Sequence, residues 1–183
     1  DFAVAFQDNL SEFVKEKIKN FNFSARRVSA QDRDKILLKI IKTLLDPQVI
    51  KSGKHRQEQW EKGWAENLEA YKKQNEESII PRYFGKYDVV RWRQEFLNPI
   101  TTHFEYNMLK VLQYWLFDKY LRFANSIYEF GCGTGHNLLR VREINPKAKI
   151  WGLDWTHSSQ EIIKKISSEK ADSRLNALNF DFF

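Results

Sequence analysis

Apolar side chains recur at helical spacing through the first 75 residues of the chain. The recurrence covers Leu10 to Phe21, Ser29 to Leu45 and His55 to Asn75, and it predicts an amphipathic helix in each range. Ser29 with Asp32 three positions later resembles a capping box in which Asp replaces the usual Glu, and this favours a helix start at Ser29. The second helix has the broadest apolar face, which comprises Ile36, Leu37, Ile40, Ile41 and Leu44.

The third predicted helix carries large apolar residues at steps of four, four and three: Trp60, Trp64, Leu68 and Tyr71. Such a stripe can serve as a stacking platform for a cofactor or nucleic acid, but aromatics at helical spacing mostly bury against a partner element, which favours a packing face. Residues 1–76 are therefore expected to form a helical N-terminal region, either a cap or a dimerisation surface of a homo-oligomer.

The stretch from Ile79 to Pro99 fits neither the helical nor the strand period. Pro81 and Gly85 interrupt regular structure, and arginines alternate with aromatic residues. We therefore expect an irregular segment, either a lid or pocket wall or a linker whose aromatics cover the core. A helical pattern follows from Thr102 to Phe123, and the two parts make up the predicted region 77–125.

From residue 126 the pattern alternates between short β-prone runs and helices. The predicted strands are Ser126–Phe130, Lys149–Asp154 and one that begins at Leu175 and runs to Phe183, and the predicted helices are Asn137–Asn145 and Ser158–Lys170. This βαβαβ order predicts an α/β domain over 126–183, with a parallel sheet and right-handed crossovers.

Composition narrows the class of protein without assigning a partner. The chain is 42% hydrophobic, 15% aromatic and 30% charged, which is typical of a globular protein. No apolar run approaches the roughly 18 residues of a membrane span, so we expect a soluble, cytoplasmic protein without membrane contact. Cys132 is the only cysteine, and it predicts neither a disulfide nor a metal site. The net charge of +6 lies mostly before residue 125, but interspersed acids do not favour nucleic-acid binding.

A glycine loop between the first strand and its helix carries the strongest chemical signal. Gly131, Gly133 and Gly135 allow a sharp turn and close approach of a ligand to the backbone. The dinucleotide fingerprint needs Gly or Ala at its sixth position, where His136 stands in one register and Leu138 in the other. Glu129 precedes the loop, where a carboxylate repels a pyrophosphate and attracts an ammonium or sulfonium group.

Asp154 ends the second strand, where an acidic side chain can accept hydrogen bonds from both ribose hydroxyls. Read alone, Asp154 is as well explained as the N-cap of the next helix, and Asp181 as a solvated loop residue. Cys132 is expected to contribute its backbone rather than a catalytic thiol, and His136 to begin a helix near the pocket rather than to act as a base.

Together these residues resemble class I S-adenosylmethionine (SAM)-dependent methyltransferases, whose first motif is an acidic residue followed by alternating glycines. The resemblance spans roughly 103–183 and includes Asp154 with its apolar neighbour Trp155, and Asn179 to Phe182 as a weaker third motif. It implies SAM as cofactor, no metal, and a cofactor site formed by Glu129, Gly131, Cys132, Gly133, Gly135, Asn137, Asp154, Trp155, Asp181 and Phe182.

The resemblance also implies a Rossmann-like sheet with strand order 3-2-1-4-5-7-6, of which the chain would hold the first βαβαβ half. The expected protein is a longer methyltransferase that transfers a methyl group by in-line displacement to an unidentified acceptor, such as a small molecule or sugar. The segment from Ile79 to Pro99 is a candidate for closing over SAM or for shaping the acceptor site, and substitution of Trp92 or Arg93 would test this role; the catalytic residues stay unknown. Two alternatives remain: a non-catalytic Rossmann-like adaptor or nucleic-acid-binding protein, and a dinucleotide-dependent oxidoreductase.

Overall fold

The computed structural model describes residues 2–46, 53–73 and 76–181. The chain forms two compact units, the first from 1–52 with 83–110 and the second from 53–82 with 111–183. The bounds of these units differ from those of the predicted regions 1–76, 77–125 and 126–183, because the helix at 57–73 packs with residues that follow 110. In the described parts, no helix is both long enough and apolar enough to cross a membrane.

The helices are α1 (Phe2–Phe6), α2 (Glu12–Ile18), α3 (Ala30–Leu44), α4 (Gln57–Lys73), α5 (Phe104–Leu121), α6 (His136–Ile144) and α7 (His157–Glu169). The strands are β1 (Ala25–Arg27), β2 (Val90–Trp92), β3 (Glu95–Pro99), β4 (Ser126–Phe130), β5 (Lys149–Asp154) and β6 (Leu175–Asn179). Short 3-10 turns lie at Lys54–Arg56 and Glu76–Ile79.

The first unit contains an antiparallel sheet of order β1-β3-β2 that the sequence pattern did not reveal. The expectation of an irregular segment from Ile79 to Pro99 is therefore wrong for its second half, where β2 and β3 form a hairpin. Its two-residue turn has Arg93 at φ 56°, a left-handed conformation usually signalled by Gly or Asn, and neither residue occurs there. β1 has only three residues, which are too few to show the alternation typical of a strand. Because β1 lies within the predicted helical region 1–76, that region is not purely helical.

Helix α3 begins as predicted. The Asp32 amide donates to Ser29 Oγ at 3.1 Å, and that hydroxyl donates to the Asp32 carboxylate at 2.8 Å. None of the α3 side chains is buried, and Leu44 is 78% exposed. The role of this region as a cap or dimerisation surface stays a prediction.

The second unit holds the predicted parallel sheet, in the order β4-β5-β6, and the βαβαβ succession is confirmed. One face of the sheet is covered by α6 and α7 through Leu138, Val141, Ile162, Ile163 and Ile166. The helices approach so closely that a Cβ on Gly152 would lie 2.5 Å from the Ile163 side chain, which explains the glycine in the middle of β5.

The opposite face of this sheet is aromatic. Tyr128 of β4 stacks on Trp151 of β5 with ring centroids 4.6 Å apart, and Phe130 meets Phe180 edge-on at 5.2 Å. Tyr128 and Phe130 remain 53% and 52% exposed, and within the described residues β4 pairs only with β5. The first strand is thus an edge of the described sheet.

Helix α4 runs alongside α7 in the same direction. The carboxylate of Glu61 accepts hydrogen bonds from the amides of His157 and Ser158 at the start of α7, and the Tyr71 hydroxyl donates to Glu169 at its end. The predicted packing role of the α4 aromatic stripe is confirmed for Tyr71, which belongs to the buried core. The first half of α4 consequently lies at the carboxyl end of the parallel sheet.

Candidate cofactor-binding site

The glycine loop follows β4 at the carboxyl end of the parallel sheet, the edge at which open α/β sheets bind ligands. Gly131, Gly133 and Gly135 adopt φ angles of 71°, 53° and 73°. The Gly131 and Cys132 amides both donate to the Leu153 carbonyl, at 2.8 and 3.1 Å. These two N–H groups are therefore unavailable for a phosphate.

Two further loop amides are also engaged within the chain. The Gly133 N–H donates to Asp154 Oδ2 at 2.9 Å, and the Gly135 N–H donates to the Cys132 carbonyl at 2.9 Å. A pyrophosphate cradle depends on amides that point at the ligand, and these amides point into the protein. The geometry of the loop thus agrees with the failed dinucleotide fingerprint at His136.

Glu129 is the most unusual group at this edge. Its Oε1 accepts a hydrogen bond from the Asn137 side-chain amide at 2.6 Å, whereas its Oε2 is buried and has no hydrogen-bond partner among the described residues. Burial raises the pKa of Glu129 to about 7, the hydrogen bond from Asn137 opposes this rise, and the nearby Asp154 carboxylate adds to it. A buried carboxylate oxygen without a donor is costly, and a cationic donor would offset that cost.

Asp154 is buried and holds the loop against the second strand. Besides the Gly133 amide on Oδ2, its Oδ1 accepts hydrogen bonds from the Thr156 amide at 2.9 Å and the Thr156 hydroxyl at 2.7 Å. A carboxylate offers about four acceptor positions, so roughly one is left for a ligand hydroxyl. The N-cap of α7 is Thr156, not Asp154, and the N-cap alternative for Asp154 is therefore wrong.

Glu61 is a residue of this edge that sequence reasoning missed. Its two carboxylate oxygens accept hydrogen bonds from the backbone amides of His157 at 2.6 Å and Ser158 at 2.9 Å. The Ser158 hydroxyl also donates to this carboxylate. A carboxylate at a helix N-terminus is stabilised by the unpaired N–H groups and the helix dipole. Because the cap comes from about a hundred residues earlier in the chain, no local pattern could have identified it.

Trp64 was predicted to pack, but its partner was not foreseen. A Cβ on Gly133 would lie 2.8 Å from the indole of Trp64, so the ring rests directly on the middle of the glycine loop. Trp60 stacks on Trp64 with centroids 5.5 Å apart, and the Arg56 guanidinium lies 5.5 Å from the Trp60 ring. An aromatic column from α4 thus ends on the loop.

Cys132 and His136 are not prepared for acid–base chemistry. Burial raises the pKa of the Cys132 thiol, whose sulfur lies 3.6 Å from Ser159 Oγ, so the thiol is protonated at neutral pH. Burial and, to a lesser extent, Arg140 lower the pKa of His136 to about 4, and its Nδ1 lies 3.2 Å from Thr134 Oγ1. In the described parts of the chain, no three His, Cys, Asp or Glu side chains lie together in a way that could hold a metal ion.

The structure joins four of the predicted residues in two hydrogen-bonded pairs. Glu129 is hydrogen-bonded to Asn137, and Gly133 is hydrogen-bonded to Asp154. The Trp155 carbonyl accepts a hydrogen bond from Gln57 of α4 at 3.3 Å. Beyond this group, Asp181 follows β6 and lies 3.6 Å from Lys54, and Phe182 falls outside the described residues.

No family model matches the sequence, and no curated protein matches it. Among solved structures, the chain is similar to coclaurine N-methyltransferase bound to N-methylheliamine and S-adenosylhomocysteine (SAH), with a TM-score of 0.41 and 12% identity. The match covers 93% of this chain and 48% of that enzyme, so the chain spans about half of its length. Similarity at this level does not identify a function.

Proposed function

We propose that this chain supplies the SAM-binding part of a methyltransferase. The observation that carries the proposal is the Glu129 carboxylate, which has one oxygen buried and unpartnered at the carboxyl end of a parallel strand. Beside it stands a glycine loop in which the amides of Gly131, Cys132, Gly133 and Gly135 are all hydrogen-bonded within the chain. This combination favours a ligand that has a cationic amino-acid group and a nucleoside, and SAM is such a ligand.

In this proposal, Glu129 accepts a hydrogen bond from the ammonium group of the methionine part. The remaining acceptor position of Asp154 takes a ribose hydroxyl, and the positive φ angles of the loop let the ligand approach the backbone. Trp155 and Asp181 are proposed to lie beside the adenine. Glu61 fixes the start of α7, next to Trp155, and so holds the far side of the site in place.

When bound, SAM supplies a methyl group that its positive sulfonium already activates toward a nucleophile. The protein then contributes mainly position and exclusion of water, and alignment can supply roughly 7–11 kcal/mol of barrier reduction. We propose a small molecule or sugar as acceptor. The neutral His136 and the protonated Cys132 are not proposed as the general base.

Calorimetric titration of the protein with SAM, SAH and NAD tests the proposal. Binding of SAM and SAH in preference to NAD supports it, and loss of at least about tenfold in SAH affinity is expected for Glu129→Gln, since a charge-assisted hydrogen bond is lost. Glu161→Gln on the exposed side of α7 is the matched control and should bind as the wild type does. Tighter binding of NAD would identify an oxidoreductase, and salt-dependent nucleic-acid binding without SAH binding would identify an adaptor.

A further inference from the structure

Gln113 of α5, which lies outside all the predicted motifs, is connected to the Glu129 carboxylate through the side chain of Asn137. The Gln113 amide nitrogen donates a hydrogen bond to the Asn137 carbonyl oxygen, and the Asn137 amide nitrogen donates to Glu129 Oε1 at 2.6 Å. Gln113 is only 6% exposed. A continuous chain of hydrogen bonds therefore joins α5, the first turn of α6 and the end of β4.

The direction of this chain determines which end of the Asn137 amide faces the carboxylate. An Asn side chain presents a carbonyl oxygen at one end and an NH2 group at the other, and a rotation of the amide exchanges them. With the Gln113 donor on the carbonyl oxygen, the NH2 group must face Glu129. In the reverse orientation an amide oxygen would oppose the carboxylate, which would further disfavour its ionised form.

Two unpartnered acceptors border this chain. Glu129 Oε2 and Gln113 Oε1 are both buried without a hydrogen-bond partner, and Asn137 bonds to both residues. Buried acceptors without donors are rare in folded proteins because each one forfeits its hydration. Each of these oxygens can therefore accept one more hydrogen bond, and for Glu129 the ammonium group of a ligand would supply the donor.

We infer that Gln113 is a positioning residue of this site: it orients the Asn137 amide and thereby keeps the Glu129 carboxylate ready for a cationic ligand. The ligand part of this inference rests on the proposed function, but the orientation of Asn137 does not. Asp154 on β5 is the titratable group that acts on Glu129, and Glu129 in turn helps to raise the pKa of the Cys132 thiol.

The decisive variant is Gln113→Leu, which keeps the bulk of the side chain and removes the donor. Carboxyl-carbon NMR titration of the ligand-free protein, assigned with Glu129→Gln, should give a pKa of Glu129 above the wild-type value, because the Asn137 amide is no longer held toward it. Calorimetry should show about a tenfold loss of SAH affinity at pH 7 and a shift of its pH dependence to higher pH. Gln113→Asn, with a shorter amide, should not restore either property.

Tyr114→Phe is the matched control, because Tyr114 is the next residue of α5, is buried, and donates to Glu143 at 2.6 Å on the other side of the contact with α6. It should lower stability while leaving the pKa of Glu129 unchanged. An unchanged pKa in Gln113→Leu would overturn the inference, whether or not SAH binds. If the wild-type protein fails to bind SAH but Gln113→Leu still raises the pKa of Glu129, the proposed function is overturned and the positioning role is established.

Discussion

The Asn137 side-chain amide donates to one oxygen of Glu129 at 2.6 Å, while the other oxygen of the same carboxylate is buried without a donor. This half-satisfied state explains why burial can raise the pKa of Glu129 to about 7 in spite of a strong hydrogen bond. At neutral pH the ligand-free carboxylate is therefore close to half protonated, and a cationic ligand would bind the ionised form.

SAH affinity should consequently depend on pH in a defined direction. Below pH 7 the neutral Glu129 attracts an ammonium group weakly, so affinity should rise roughly five- to tenfold between pH 6 and pH 7.5. At higher pH it should fall again, because the ligand's α-ammonium group loses its proton. Calorimetry across this range checks both limbs. A profile without the rising limb in the wild type would contradict the assigned role, and Glu129→Gln should lack that limb.

Although Glu129→Gln should weaken SAH binding, it should stabilise the ligand-free protein at alkaline pH. In the folded protein the pKa of Glu129 is about 7, against an ordinary value of 4.5, so the stabilising contribution of the protonated form is present below pH 4.5 and is lost as pH rises through 7. The neutral variant escapes this loss and should be more stable than the wild type by on the order of 2 kcal/mol at pH 8, with little difference at pH 5. Urea unfolding at the two pH values measures this. Equal stability of the variant and the wild type at pH 8 would show that burial does not destabilise the ionised form of Glu129.

The sequence predicted the parts of the site that depend on local pattern. Strand, loop and helix around Gly131–Gly135, and the acidic residues at two strand ends, follow from the alternation of apolar runs and from spacing. Gln113 and Glu61 were missed because a polar residue inside a helical pattern says nothing about which distant group it bonds to. The β2–β3 hairpin was missed because Arg93 occupies the left-handed turn position, where only Gly or Asn would have signalled a turn.

The contact between Trp64 and Gly133 predicts a coupled pair. Gly133→Ala should cost about 1–3 kcal/mol from its φ of 53° alone, and more because the new methyl group would meet the indole at 2.8 Å. Trp64→Ala removes the obstacle, so the double variant should be less destabilised than the sum of the single variants by about 0.5–3 kcal/mol. A double-mutant cycle of unfolding free energies measures this difference. Strict additivity would show that the ring does not rest on the loop in solution.

At the opposite end of the sheet, Arg142 should be a purely structural residue. Its guanidinium bonds Asp172 through Nε at 2.7 Å and donates to the Ala148 carbonyl at 2.8 Å, and both charged side chains are less than a fifth exposed. Arg142→Met would leave Asp172 partly buried without its cation and should cost about 2–4 kcal/mol.

Arg142→Lys should recover only part of this loss, because an ammonium group cannot reproduce the planar fork that joins Asp172 to the carbonyls of the α6–β5 connection. Lys164→Met is the matched control: its ion pair with Glu161 is exposed, and its removal should cost less than about 1 kcal/mol. SAH affinity of the folded Arg142→Met protein should equal that of the wild type, since Asn137 lies at the start of α6 and Arg142 in its last turn. A selective loss of SAH binding with unchanged stability would contradict this division between the two ends of the sheet.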